Sequence, residues 1–268
     1  MVPRAHGRSI NTREICEISR SETLDMLEEA WDDRTKGELT LTKLHLDEYV
    51  VCFLIQKCVA ELKVRIRQPP NGTSMLPNNE TRGIEKVELV GCTLEDEEAA
   101  YCLIRLFQMM GKDLKELFIV DTTAHRLCSE GLTALLRGLV LVKSLERLAI
   151  DGVSLCGSAI GCAMETLLQQ TSSIKEFRLM DCDIDEETVD CFIDGVRVHR
   201  GLHHIDLDGW EIDDFQLEQL VDALMESGSK ATLKCLDLSG TNIGLDSLHS
   251  FARLLRQTQA LEELVLCS

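Results

Sequence analysis

Leu233-Lys-Cys-Leu236-Asp-Leu238-Ser-Gly-Thr241-Asn-Ile243 is the stretch from which the fold is read. Its apolar residues alternate, as in a strand with one buried face, and a tight turn follows. The same spacing recurs. Strand openings fall at Ile84, Leu114, Leu145, Ile174, Leu202, Leu233 and Leu261, in steps of 30, 31, 29, 28, 31 and 28 residues. Each opening is followed by two further apolar residues: Val87 and Leu89, Leu117 and Ile119, Leu148 and Ile150, Phe177 and Leu179, Ile205 and Leu207, Leu236 and Leu238, Leu264 and Leu266. A fixed period near thirty residues marks a repeat architecture.

Between the strands, apolar residues return at helical spacing: Leu103, Leu106 and Phe107; Leu132, Leu135 and Leu139; Val189, Phe192 and Val196; Leu217, Leu220 and Leu224; Leu248, Phe251 and Leu255. Such rows predict amphipathic helices packed under a sheet. Strand–helix alternation also describes doubly wound sheets and βα barrels, but strands covered on both faces read as nearly unbroken apolar runs. Here the alternate positions are polar, as in Ile84-Glu-Lys-Val-Glu-Leu89 and Leu202-His-His-Ile-Asp-Leu207. One sheet face must therefore meet water. The expected architecture is α/β, an open solenoid or horseshoe segment with a parallel sheet on the concave face and helices on the convex face.

The L-x-x-L-x-L strand, with Cys92 or Cys182 and then Leu94 or Ile184 in the turn, resembles the leucine-rich repeat family. The long, helix-bearing period is similar to its ribonuclease-inhibitor-like class. The resemblance covers about residues 84–268. It implies a binding scaffold, with an enzyme regulator as an alternative, either an inhibitor of a ribonuclease or an activator of the Ran GTPase. A third possibility is the recognition array of a larger receptor or ubiquitin-ligase adaptor.

Ahead of the array, residues 1–83 form an N-terminal extension with a divergent capping unit. Ser19-Arg-Ser-Glu22 has capping-box form, and a helix is expected at about 22–34. Leu41-Thr-Lys-Leu44-His-Leu46 fits the strand template, Asp47 can cap the next helix, and 67–83 reads as an inserted loop. At the other end the template reaches Leu266-Cys-Ser268 with no helix behind it, so a fragment or an end covered by another subunit is expected. Trp210 occupies a small turn position, and the turn is expected to open around it.

Charge is unevenly spread. Of the net −18, residues 1–83 carry 12 basic against 13 acidic groups, and 84–268 carry 16 against 33. Glu95, Asp96, Glu97, Glu98, Asp183, Asp185, Glu186, Glu187, Glu211, Asp213 and Asp214 stand where helices begin and complement the helix dipole. They also line one rim, which repels nucleic acid and favours a basic protein partner.

Twelve cysteines occur without any C-x-x-C pair, so zinc-ribbon and thioredoxin-like motifs are absent. With no signal peptide or membrane-spanning run, unpaired thiols point to a reducing, cytoplasmic setting. Cys102, Cys162 and Cys191 fall in helices and read as small core residues. Asp181-Cys-Asp-Ile-Asp185 imitates a calcium loop, but Glu186 replaces its glycine. No P-loop, dinucleotide fingerprint, zincin or nucleophile-elbow motif is present, and neither enzyme activity nor a cofactor or metal is expected. The candidate binding surface is the outward row of strand residues Glu88, Glu116, Phe118, Val120, Arg147, Asp151, Arg178, Met180, His204, Asp206, Asp208 and Asp237. An apolar patch is expected around Phe118, Val120 and Met180, and a carboxylate cluster at Asp206, Asp208 and Asp237.

Overall fold

Leu39, Val87, Leu117, Leu148, Phe177, Ile205, Leu236 and Leu264 stand side by side in register across one parallel sheet. A computed structural model describes residues 20–32, 37–67, 83–121 and 127–267. Among these the strands are β1 (Glu38–Thr42), β2 (Lys86–Val90), β3 (Glu116–Val120), β4 (Arg147–Asp151), β5 (Glu176–Met180), β6 (His204–Asp206), β7 (Cys235–Asp237) and β8 (Glu263–Val265). They pair strictly in sequence order, and β1 does not meet β8. A doubly wound sheet would reverse direction partway, and a barrel would close. This sheet does neither.

Helix α1 (Arg20–Asp32) precedes β1, and α2 (Glu48–Arg67), α3 (Glu97–Met110), α4 (Ser129–Leu139), α5 (Ser158–Gln170), α6 (Glu186–Val198), α7 (Asp214–Glu226) and α8 (Leu248–Gln257) follow successive strands. On β2, β3 and β5 the central pair of apolar residues is buried while their neighbours remain half-exposed. One continuous apolar core joins the buried strand row to the helices. The helix rows anticipated in α3, α4, α6 and α7 are buried throughout. In α8 the phase differs. Leu254 and Ser250 turn inward, whereas Leu248 and Leu255 are 63% and 58% exposed. A 3₁₀ turn at Leu245–Ser247 leads into α8, and its tighter pitch rotates the inward face away from the expected row.

The first strand also lies elsewhere than the template placed it. It spans Glu38–Thr42, not Leu41–Leu46, because Leu39 and Leu41 pair with Val87 and Leu89. Leu44 and Leu46 are the buried turn residues that follow, with His45 bridged to Thr93. In Leu39-Thr-Leu41-Thr-Lys-Leu44-His-Leu46 both frames alternate correctly, so alternation alone does not choose between them. Asp47 caps α2, its carboxylate accepting from the Val50 N–H at 2.8 Å. Helix α1 buries Leu27 and Trp31, and the Trp31 indole N–H donates to Glu61 at 3.0 Å. The expected cap at Ser19 and the loop at 68–82 lie outside the described residues.

One backbone position recurs after the strands. Lys43, Gly91, Gly152, Asp181, Gly209 and Gly240 all have φ between 48° and 78°. In each the N–H donates to a carbonyl of the next unit, at 2.7–3.0 Å. The left-handed turn thus extends the hydrogen-bond ladder past the last paired strand residue while the chain bends toward the helix.

Trp210 is fully buried. Its ring points inward and meets Phe192 edge-on at 5.3 Å, and Phe192 in turn lies 5.8 Å from Phe177. The three rings thus form one aromatic cluster spanning two consecutive units.

Gly152 tests the turn ladder. It has φ +68°, and a Cβ there would lie 2.6 Å from the Asp121 carbonyl oxygen. Gly152→Ala therefore combines left-handed strain with a backbone clash, and should lower unfolding stability by about 1–3 kcal/mol. Urea denaturation measures this; an unchanged midpoint would show that the turn is not structurally required.

Candidate functional site

The sheet face turned away from the helices carries three rows of side chains. Lys86, Glu116, Arg147, Glu176, His204 and Cys235 form the first, in register from β2 to β7. Glu88, Phe118, Ala149, Arg178, Asp206 and Asp237 form the second. Val90, Val120, Asp151 and Met180 form the third, and Asp208 lies two residues beyond Asp206. The structure thus brings all twelve candidate residues onto one face.

Most charges on the β2–β5 half are already paired. Arg147 holds Glu176 through two hydrogen bonds of 2.6 and 2.9 Å and reaches Glu116 at 3.1 Å. Arg178 also contacts Glu176 at 3.1 Å. The Arg147 guanidinium beside Glu176 holds that carboxyl below its ordinary value, against the opposing effect of burial. Lys86 pairs with Glu88 at 2.6 Å and lies over the Phe118 ring at 4.8 Å. Thr40 donates to the other Glu88 oxygen at 3.1 Å. The half-exposed pairs preserve the row's geometry more than they stabilise the fold.

The apolar patch differs from the expectation. Phe118 is half-buried and adjoins Ala149, Val120 and Val90. Met180 is separated from Val120 by Asp151, because β4 lies between their strands. Spacing within one strand showed which residues face outward, but not which neighbour from the next strand would intervene.

The aspartates on the β4–β7 half have no such partners. Among the described residues, no lysine, arginine or histidine forms an ion pair with Asp151, Asp181, Asp206, Asp208 or Asp237. Asp181 was not among the candidates, yet it raises the Asp151 value by repulsion, adding to the larger effect of burial. The signal was its position, where glycine stands in other repeats. Asp206 is buried at 7% exposure, and its Oδ1 accepts from the Asp208 N–H at 3.2 Å. Asp237 accepts likewise from the Ser239 N–H at 2.9 Å. Burial depresses the His204 value, and the Arg178 charge does so further.

The acidic rim has a structural role in part. Asp96, Asp185 and Asp213 accept from the backbone N–H groups of Ala99, Thr188 and Gln216 at 2.7, 2.9 and 2.8 Å, as N-caps do. Asp185 also receives the Gly157 N–H at 2.7 Å, and Asp214 the Gly244 N–H at 2.7 Å. These acids join neighbouring units. The calcium-like stretch is therefore taken apart: Asp181 forms the turn, Asp183 faces Ser154 at 3.4 Å, and Asp185 caps α6.

Side-chain donors do gather in threes on the helical side of the molecule. Glu48, Cys52 and Cys102 form one group, and Cys162, Glu165 and Cys191 another. Cys162 is exposed and Cys102 and Cys191 are half-buried, so none of the three is the fully buried core residue expected. Burial pushes the Cys191 thiol up to about 11 and the Cys182 thiol up to about 12. Neither resembles the low-pKa thiolate of a redox sensor.

Burial, reinforced by Asp237, raises the Asp206 carboxyl above its ordinary value, against the opposing Asp208 N–H. An ionised carboxylate with a raised folded-state value costs stability at neutral pH, and the cost is relieved as pH falls through that value. Asp206→Asn keeps an oxygen for the Asp208 N–H and removes the charge. It should stabilise the protein at neutral pH by a few tenths to about 1 kcal/mol and lose this advantage on acidification. Denaturant titrations at about pH 7 and about pH 4.5 measure both effects; destabilisation at neutral pH would mean the charge is compensated. Among known proteins, no family model matches the chain and no curated protein matches it.

Proposed function

We propose that the chain is a leucine-rich-repeat solenoid, a horseshoe segment with the sheet on its concave side, serving as a non-enzymatic protein-binding module. The observation that carries this reading is the open sheet face, which carries unpaired Asp151, Asp181, Asp206, Asp208 and Asp237 toward β4–β7 and the Phe118 ring under Lys86 toward β2 and β3. A partner with a basic surface gains these unpaired carboxylates at once. It need not break the Arg147–Glu176 pair, whose geometry is already satisfied. An acidic face suits a basic protein and disfavours nucleic acid. Catalysis finds no support, because alternating side chains on an open strand face hold substrate in water rather than in an enclosing pocket.

An inhibitor of a basic enzyme is the narrower form of this reading. The free thiols along the chain support a reducing compartment. No helix among the described residues is long and apolar enough to cross a membrane.

Capture of basic proteins from lysate on immobilised protein tests the binding surface. The wild type should retain them at low salt and release them as salt rises. The Asp206/Asp208/Asp237→Asn triple variant should lose at least about tenfold in affinity, the size expected for removing central charged contacts. Phe118→Ala should lose less, because its ring is half-buried beneath Lys86. Equal retention by all three proteins would overturn the choice of surface.

A further inference from the structure

Cysteines from consecutive helices meet twice on the helical side of the molecule, each time beside a glutamate. On α5, Cys162 and Glu165 stand one turn apart and face Cys191 of α6. On α2, Glu48 and Cys52 stand one turn apart and face Cys102 of α3. In both groups the two thiol sulfurs and one carboxylate oxygen lie within 4.8 Å of one another. The room for this is specific. A Cβ on Gly161 would lie 3.1 Å from the Cys191 sulfur, so glycine on α5 admits that thiol between the helices. Glu165 is oriented by Gln169, whose Nε2 donates to it at 2.6 Å.

We propose that these two groups are metal sites, each taking a thiophilic divalent cation such as Zn²⁺ through two cysteine sulfurs and one glutamate oxygen. Donors at most 4.8 Å apart lie no more than about 2.8 Å from a common centre. An inward movement of at most about 0.5 Å per sulfur then reaches the usual Zn–S distance of about 2.3 Å. Two sulfurs select a soft or borderline cation over magnesium or calcium, which prefer all-oxygen shells. Binding forms two metal–sulfur bonds and one metal–oxygen bond, and the two thiol protons leave to solvent. Water takes the fourth tetrahedral position. Each cation bridges two helices, α2 to α3 or α5 to α6, and stabilises the folded array by mass action.

The spacing explains why a sequence scan overlooks such sites. Local zinc motifs place two sulfurs within a few residues, whereas here each pair is brought together only by stacking of adjacent repeats.

Titrating the reduced full-length protein with Cd²⁺, while following sulfur-to-cadmium charge-transfer absorbance, tests the assignment. The wild type should take up two equivalents and melt at a higher temperature. Cys162→Ser/Cys191→Ser and Cys52→Ser/Cys102→Ser should each lose one equivalent, and the fourfold serine variant both. Cys128→Ser/Cys267→Ser should retain both. Glu165→Gln should weaken one site by about tenfold or more while preserving fold and thiols. If a serine variant does not fold, protection of Cys162 and Cys191 from alkylation by bound metal in the wild type, mapped by peptide mass, decides the same point. Full uptake by the fourfold variant, or neither thiolate–cadmium absorbance nor protection in the wild type, would overturn the proposal.

Discussion

Everything in this molecule depends on in-register stacking of two apolar side chains per strand beneath a sheet covered on one side. Leu117 and Ile119 bury against the equivalent residues of β2 and β4, and those against the next. No repeat can hide this pair alone, so each stabilises its neighbours and is stabilised by them. The left-handed residue after each strand serves the same end. Its N–H continues the ladder into the next unit, and acids such as Asp185 and Asp214 repeat the link at the helix starts.

That arrangement leaves two unlike surfaces. The open sheet face ranks side chains in rows roughly one strand apart, so charge placed in one repeat is read against the next. Between β2 and β5 the rows alternate in sign and pair within the protein. From β4 to β7 the balance fails and carboxylates accumulate, with Asp206 held near the surface at an energetic cost. The helical side is governed by packing instead, and there adjacent small residues and cysteines determine what comes together.

The buried strand row, the helix rows of α3, α4, α6 and α7, the cap at Asp47 and the helix-start positions of Asp96, Asp185 and Asp213 were legible in order along the chain. Each is a local pattern whose spacing equals the period of the element that contains it. The first strand was misplaced because its sequence alternates in two frames, and only pairing to Val87 and Leu89 selects one. The inward face of α8 was misplaced because a 3₁₀ turn changed its phase. Met180 and Val120 seemed one patch until Asp151 was found between them.

The sequence by itself determined a one-sided parallel sheet with helices between strands, because alternation of period two beside rows of helical spacing permits burial on one sheet face only. It also determined which side chains occupy the open face. Only the tertiary structure decided which of them neutralise one another, how deeply Asp206 lies, and that Cys162 meets Cys191 and Cys52 meets Cys102. Those outcomes depend on the offset between successive repeats, and that offset is set by turn and helix packing across about thirty residues rather than by any local pattern.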